Sequence, residues 1–180
     1  FAPTERAAQI CRAVNPNGKV CVTGNTVIDA LREGLRLLGR HPVTRPLAPY
    51  ILLDMHRRET DASGMERIAG IVLEQATAYG LKVIWPAHPS PKVQAVASSF
   101  IKNGLVLSPP LDYLNFIEAM RDAALILTDS GGVVEEAITI GTPTLQLRDK
   151  TDRQEAINCQ CSWLASTNPT EVERLLKIAI

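Results

Sequence analysis

The sequence predicts an α/β fold in which a parallel sheet carries helices on both faces. Three observations support it. Short β-branched and aliphatic runs alternate with longer amphipathic stretches along the 180 residues, in βαβα order and without an internal repeat. Apolar residues make up 46% of the chain but aromatic ones only 4%, so the core must be aliphatic, as in buried parallel sheets. Finally, the polar clusters His56-Arg57-Arg58-Glu59, His88, Asp129-Ser130-Gly131-Gly132 and Arg148-Asp149 fall at the ends of the strand-like runs. Right-handed crossovers bring all strand ends of one kind to one edge of the sheet, where ligands of such folds bind.

Each element has a local reason. Pro3 suits the first turn of an N-terminal helix. Val20-Cys21-Val22-Thr23 reads as a strand and Gly24-Asn25 as a turn. Thr26 is expected to cap a helix from Val27 to Leu38, with Ile28, Leu31, Leu35 and Leu38 at helical spacing. Gly39 to Pro49 holds three prolines and reads as a loop. Tyr50 to Leu53 is a strand, and a long helix follows from Ala62 to Tyr79, stopped by Gly80. Leu81 to Trp85 is a strand, Lys92 to Ile101 a helix, Leu105 to Leu107 a short strand and Asp112 to Asp122 a helix. Ala124 to Thr128 is the clearest buried strand. A helix from Val133 to Ile140, a strand from Thr144 to Leu147 and a helix from Glu171 to Ile180 complete the reading.

Composition narrows the function classes. Net charge is zero and no basic stripe is evident, which argues against a nucleic-acid partner. Cys11, Cys21, Cys159 and Cys161 offer only one close pair and no zinc-like cluster, so reduced thiols in a cytoplasmic protein are expected. No apolar run approaches the roughly 20 residues that span a bilayer, so no membrane partner is expected. The chain opens on Phe1-Ala2-Pro3-Thr4-Glu5 without a start Met or a basic leader, which reads like the interior of a longer protein.

The most informative segment is Leu127-Thr128-Asp129-Ser130-Gly131-Gly132-Val133-Val134-Glu135-Glu136. A buried strand passes through two glycines into a helix start. Ser130, Gly131 and Gly132 would then present a hydroxyl, unpaired amides and a partial positive charge to a phosphate. Glu136, one turn into the helix, is placed to accept from ribose hydroxyls. The pattern is neither a dinucleotide fingerprint nor a Walker loop. A tight turn with Ser130 as a plain helix cap remains the alternative.

The motifs at 127–137, 141–156 (Gly-Thr-Pro-Thr-Leu-Gln-Leu-Arg-Asp-Lys-Thr-Asp-Arg-Gln-Glu-Ala), 56–59 (His-Arg-Arg-Glu) and 112–116 (Asp-Tyr-Leu-Asn-Phe) resemble, in order and spacing, those of the non-hydrolysing UDP-N-acetylglucosamine 2-epimerases. Phe1 to Glu5 and Val22 to Asp29 resemble that family's crossover into its second domain. The resemblance implies a GT-B architecture, two Rossmann-like domains with the substrate between them. Residues 1–180 then form the C-terminal nucleotide-sugar-binding domain, with the N-terminal domain absent. It also implies an isomerase that interconverts UDP-GlcNAc and UDP-ManNAc by eliminating UDP and adding it back, in cell-envelope polysaccharide biosynthesis. No cofactor and no metal are expected, and the parent protein is expected to be a homodimer.

The roles implied residue by residue are these. Leu111 backbone and Phe116 read and stack the uracil, Ser130, Gly131 and Gly132 hold the diphosphate, Glu136 takes the ribose, Arg153 lies at the phosphate–sugar junction, and His56 is catalytic. Arg57 and His88 match positions lining a second, allosteric UDP-GlcNAc site. On the residues alone, Phe116 reads equally as core, His56 as a solvated loop residue, His88 as a structural hydrogen-bonding residue and Arg153 as part of a solvated face. Departures from the family pattern are Asp54 where Thr is usual, Thr60, Val134, Gln154 and Gln160-Cys161. Asp54 adds negative charge near a diphosphate. Two other classes fit: a hydrolysing epimerase or glycosyltransferase on the same scaffold, and a non-catalytic UDP-sugar-binding module.

Overall fold

A computed structural model describes residues 1–39, 50–56 and 60–179. The helices are α1 (Glu5–Val14), α2 (Thr26–Leu37), α3 (Ala62–Ala78), α4 (Pro91–Ser99), α5 (Tyr113–Asp122), α6 (Gly131–Ile140), α7 (Gln154–Asn158) and α8 (Pro169–Ala179). The strands are β1 (Tyr50–Asp54), β2 (Lys82–Pro86), β3 (Leu105–Ser108), β4 (Leu125–Thr128), β5 (Thr144–Gln146) and β6 (Ser162–Leu164). They form one parallel sheet in the order β3-β2-β1-β4-β5-β6. The order reverses between β1 and β4, and this is the doubly wound topology whose ligands sit at the reversal.

The sheet sorts its side chains by the two-residue period of a strand. Ile51, Leu53, Leu125 and Leu127 point to one face, where Met65, Ile68 and Val72 of α3, Val93 and Val96 of α4, and Val172, Leu175 and Leu176 of α8 cover them. Leu52 and Ile126 point to the other face, beneath Leu31 and Leu35 of α2, Ile117 and Met120 of α5, and Val133, Ala137 and Ile140 of α6. Both core layers are thus mainly aliphatic, as the composition requires, with Trp85 a fully buried exception.

Several helices start on side-chain caps. Thr4, Asn25, Asp61 and Asp112 accept from the amides of Ala7, Val27, Gly64 and Asn115. The cap of α2 is therefore Asn25, not Thr26, because only Asn25 has extended backbone there. Pro3 precedes the Thr4 cap and lies outside the first turn of α1. Gly80 and Gly141 take left-handed φ values of 69° and 90° where α3 and α6 end.

Other expectations need correction. Val20 to Thr23 forms no strand. Among the described residues, a single isolated bridge joins Val22 to Ala2. Helix α6 begins at Gly131 instead of Val133, so both glycines lie within its first turn. Helix α7 and strand β6 were not foreseen. Residues 40–49, Arg57, Arg58, Glu59 and Ile180 lie outside the described residues, and with them the proline-rich segment and the role expected of Arg57. No described helix is long and apolar enough to cross a membrane.

Candidate functional site

Three chain segments meet where the strand order reverses. After β1 come Met55 and His56, and after β4 come Asp129 and Ser130. Arg148 follows β5. The first two segments are tied together through Asp54 and Thr128. The Thr128 hydroxyl donates to Asp54 Oδ2 at 2.7 Å and accepts from the Ser130 amide at 2.9 Å. The Asp129 amide donates to the Asp54 carbonyl, and the His56 amide donates to Asp129 Oδ2 at 2.9 Å.

The His56 imidazole faces two carboxylates. Its Nδ1 lies 3.0 Å from Asp54 Oδ1 and 3.3 Å from Asp129 Oδ1. Two acceptors at one nitrogen keep a proton on Nδ1 and so fix the tautomer of the ring. The Asp54 departure is thereby explained: its carboxylate is committed to Thr128 and His56, and so is not a loose charge facing an anion. The ligand atoms of Asp54, His56 and Asp129 lie within 4.8 Å of one another, so these three are the described residues that could share a cation. His88 stacks on His56 with ring centroids 6.0 Å apart and planes 20° apart. Its Nδ1 accepts from the Ser90 amide at 3.1 Å, which combines the structural role with a place beside His56.

The start of α6 is an anion cradle in its geometry. Ser130 occupies the cap position, yet its hydroxyl makes no capping bond, which removes the plain-cap alternative. The first-turn amides lack intrahelical acceptors, as at any helix start. Two guanidinium groups approach from the β5–α7 connection. A Cβ added at Gly131 would lie 3.1 Å from Arg153 Cζ and 3.3 Å from Arg148 Nη1. A Cβ at Gly132 would meet nothing within 4 Å.

Arg153 is aimed by its neighbours. Its Nε donates to Glu135 Oε1 at 3.0 Å, and its Nη1 pairs with Asp152. Glu135 Oε2 in turn accepts from Asn25 Nδ2 at 2.6 Å. The stretch around Arg153 is therefore a structured charge network with 27% of the Arg153 side chain exposed, not a solvated face.

Glu136 is a second covered carboxylate of this edge, at 5% exposure beside 1% for Asp129. Its Oε1 accepts from the Tyr113 hydroxyl at 2.7 Å. Burial pushes the Glu136 carboxyl above its usual value, the Tyr113 bond pulls it back, and Glu135 adds to the rise. The native state therefore holds this proton more tightly than the unfolded chain. Ionising Glu136 costs stability as pH rises from the ordinary carboxylate range to the native pKa. Burial and the Glu136 carboxylate also raise the Tyr113 phenol. Phe116 is half-buried against the α2–α5–α6 core layer, so the core reading accounts for part of it. Leu111 is half-exposed just before α5.

The structure thus brings His56, His88, Ser130, Gly131, Gly132, Glu136 and Arg153 to one edge, with Leu111 and Phe116 joined to it through Tyr113. Sequence reasoning missed Asp129, Thr128, Arg148, Glu135, Asn25 and Tyr113 as members. Arg148 and Asp129 stood in the polar clusters after strands, which was the one signal available. A separate cavity of about 620 Å³ runs between α1 and α6–α7. It shares Glu135 and Arg153 with the cradle but neither Ser130 nor Glu136.

Comparison with known proteins agrees with this geometry. The family model described as UDP-N-acetylglucosamine 2-epimerase matches residues 1–180. A UDP-N-acetylglucosamine 2-epimerase of Yersinia pestis is 38% identical over 96% of the chain, which covers 50% of that relative. The crystal structure of the Neisseria meningitidis enzyme bound to UDP-GlcNAc superposes with a TM-score of 0.86 at 32% identity, covering 98% of this chain and 52% of the other. The Methanocaldococcus jannaschii enzyme in complex with UDP-GlcNAc and UDP gives 0.85 at 28% identity over 99% of this chain and 53% of the other. An Escherichia coli heptosyltransferase, 11% identical with a TM-score of 0.59, shares the fold alone, in keeping with a Rossmann-like half of a GT-B architecture. The chain spans about half the length of the curated relatives it matches, and it belongs to the UDP-N-acetylglucosamine 2-epimerase family.

Proposed function

We propose that residues 1–180 are the C-terminal, UDP-binding half of a two-domain, non-hydrolysing UDP-GlcNAc 2-epimerase. The observation that carries this reading is the start of α6, where unpaired amides lie under Arg148 and Arg153 beside the reversal of strand order. Preorganised donors of this kind stabilise charge that develops on a leaving group. In the proposed reaction UDP leaves from C1 while a base removes the C2 proton. The proton then returns on the other face and UDP adds back. Ser130, Gly131 and Gly132 hold the diphosphate, Arg153 and His56 offset the charge it gains, and Glu136 binds the ribose. Leu111 and Phe116 take the uracil.

The acid and base for the C2 proton are carboxylates of the N-terminal domain in this proposal. The chain alone then binds UDP weakly and turns nothing over, because half the contacts and the domain closure are missing. His88, stacked on His56, belongs to a second UDP-GlcNAc site in the same reading, together with Arg57. A cytoplasmic, homodimeric parent protein is part of this proposal and draws on the family resemblance.

Titration calorimetry of the chain with UDP tests it. Ser130→Ala is expected to weaken UDP about fivefold, the value of one hydrogen bond, and Glu136→Ala about tenfold. The chain is expected to show no epimerisation of UDP-GlcNAc. Unchanged affinity in both variants, or turnover by the chain itself, contradicts the assignment.

A further inference from the structure

The nucleoside end of the site contains a pairing that the family assignment leaves without a role. Tyr113 is the first residue of α5 and Glu136 lies one turn into α6. The Tyr113 ring is 42% exposed, whereas Glu136 is 5% exposed. The phenol thus stands at the surface and reaches down to the covered carboxylate, 2.7 Å from its Oε1. Among the described residues, no donor reaches the other oxygen, Oε2. Asp112 anchors the arrangement, since its side chain caps α5 through the Asn115 amide and so fixes where Tyr113 begins.

A carboxylate has two oxygens and room for several donors. When buried it needs them, because an ionised group stripped of water and left without a hydrogen bond neutralises instead. Tyr113 supplies one strong donor to an ionised acceptor, a charge-assisted bond that also fixes the plane of the carboxylate. We infer that Tyr113 is a positioning residue for ribose recognition: its hydroxyl holds Glu136 through Oε1 and turns Oε2 to the 2′- and 3′-hydroxyls of a ribonucleoside diphosphate. This rests on Glu136 being the ribose ligand.

Such a site discriminates by a hydroxyl. A group built to bind an OH rejects the analogue that lacks it, because the buried acceptor is then left unpaired. Tyr113 touches no sugar atom in this account, so its effect must appear only through Glu136.

The test compares UDP with 2′,3′-dideoxy-UDP by ligand-observed NMR titration of the chain, which reads weak affinities. The wild-type chain is expected to prefer UDP at least about tenfold, as befits hydrogen bonds to a charged acceptor. Tyr113→Phe keeps the ring and its packing and is expected to bring the preference to within about threefold. It does so by weakening UDP while leaving the dideoxy analogue unchanged. Glu136→Gln lowers the preference too, and Tyr113→Phe added to it lowers it no further, as for two residues acting through one contact.

The preference is a ratio within one protein sample, so partial unfolding of a variant does not imitate the result. If Tyr113→Phe retains the full preference, Tyr113 is a packing residue and the inference fails while the ribose assignment stands. If the wild-type chain binds both nucleotides equally, the ribose assignment itself fails and the inference falls with it.

Discussion

Gly131→Val is expected to weaken UDP binding about a hundredfold while leaving the fold intact. Gly131 is the residue where the cradle's two kinds of positive potential meet, the helix start and the paired guanidinium groups. A Cβ there already lies 3.1 Å from Arg153 Cζ and 3.3 Å from Arg148 Nη1, closer than most side-chain contacts. A branched side chain must displace both arginines, and Arg153 also carries the bond to Glu135 that holds it in place. The arginine side chains lie outside the hydrophobic core, with 27% of Arg153 and 16% of Arg148 exposed, so displacing them opens no core cavity, but it moves them away from the phosphate position. Losing two charge-assisted contacts together reduces affinity on the order of a hundredfold, about 2.7 kcal/mol. Calorimetry with UDP and a thermal melt of the same sample check both halves of this expectation. Retained affinity in Gly131→Val means the phosphate does not sit over this glycine.

Ile126→Ala is expected to destabilise the chain by about 2–5 kcal/mol, the range for deleting a large buried aliphatic side chain. Ile126 lies on the central strand β4, fully buried, and faces the smaller of the two core layers. That layer holds α2, α5 and α6 to the sheet, so a cavity there loosens the helix whose start forms the cradle. The loss is a large share of the roughly 5–15 kcal/mol that stabilises a domain. Val14→Ala, at a position 81% exposed, serves as the control and is expected to change stability by no more than about 0.5 kcal/mol. Urea unfolding curves of the two variants decide. A cost below about 1 kcal/mol for Ile126→Ala contradicts the two-layer account of the core.

Much of the site was legible because a parallel sheet gathers the ends of its strands on one edge. Any polar cluster that follows an apolar run in βαβα order must then lie near the others. Ser130 to Gly132, His56 and His88 fall on that edge in this way, whereas Arg153 is singled out only by the family resemblance. The βαβα order itself called for helices on both faces of the sheet.

What escaped the sequence has physical reasons. Helix α7 has five residues and β6 three, too few for any periodicity to register. The run Val20 to Thr23 has strand composition, but a strand needs a partner, and among the described residues only Ala2 bridges to it. Tyr113 and Glu136 are 23 residues apart, and Asp54 and Thr128 are 74 apart, so their pairing depends on the strand order and not on local spacing. Asp54 is the sharpest case. As a residue type beside a phosphate it reads as a defect, and in place it holds the His56 ring and the Thr128 hydroxyl. The role of Arg148 likewise appears only when β5 is laid beside β4.

Amide NMR of the ¹⁵N-labelled chain during a UDP titration most directly tests whether this edge is a living nucleotide site. Saturable shifts are expected at Ser130, Gly131, Gly132 and Val133, with smaller ones at His56, Leu111, Phe116 and Arg153, and none in α3 or α8. Shifts confined to the α1–α7 cavity, or none at all under saturating UDP, would show that the amides at the head of α6 grip no pyrophosphate.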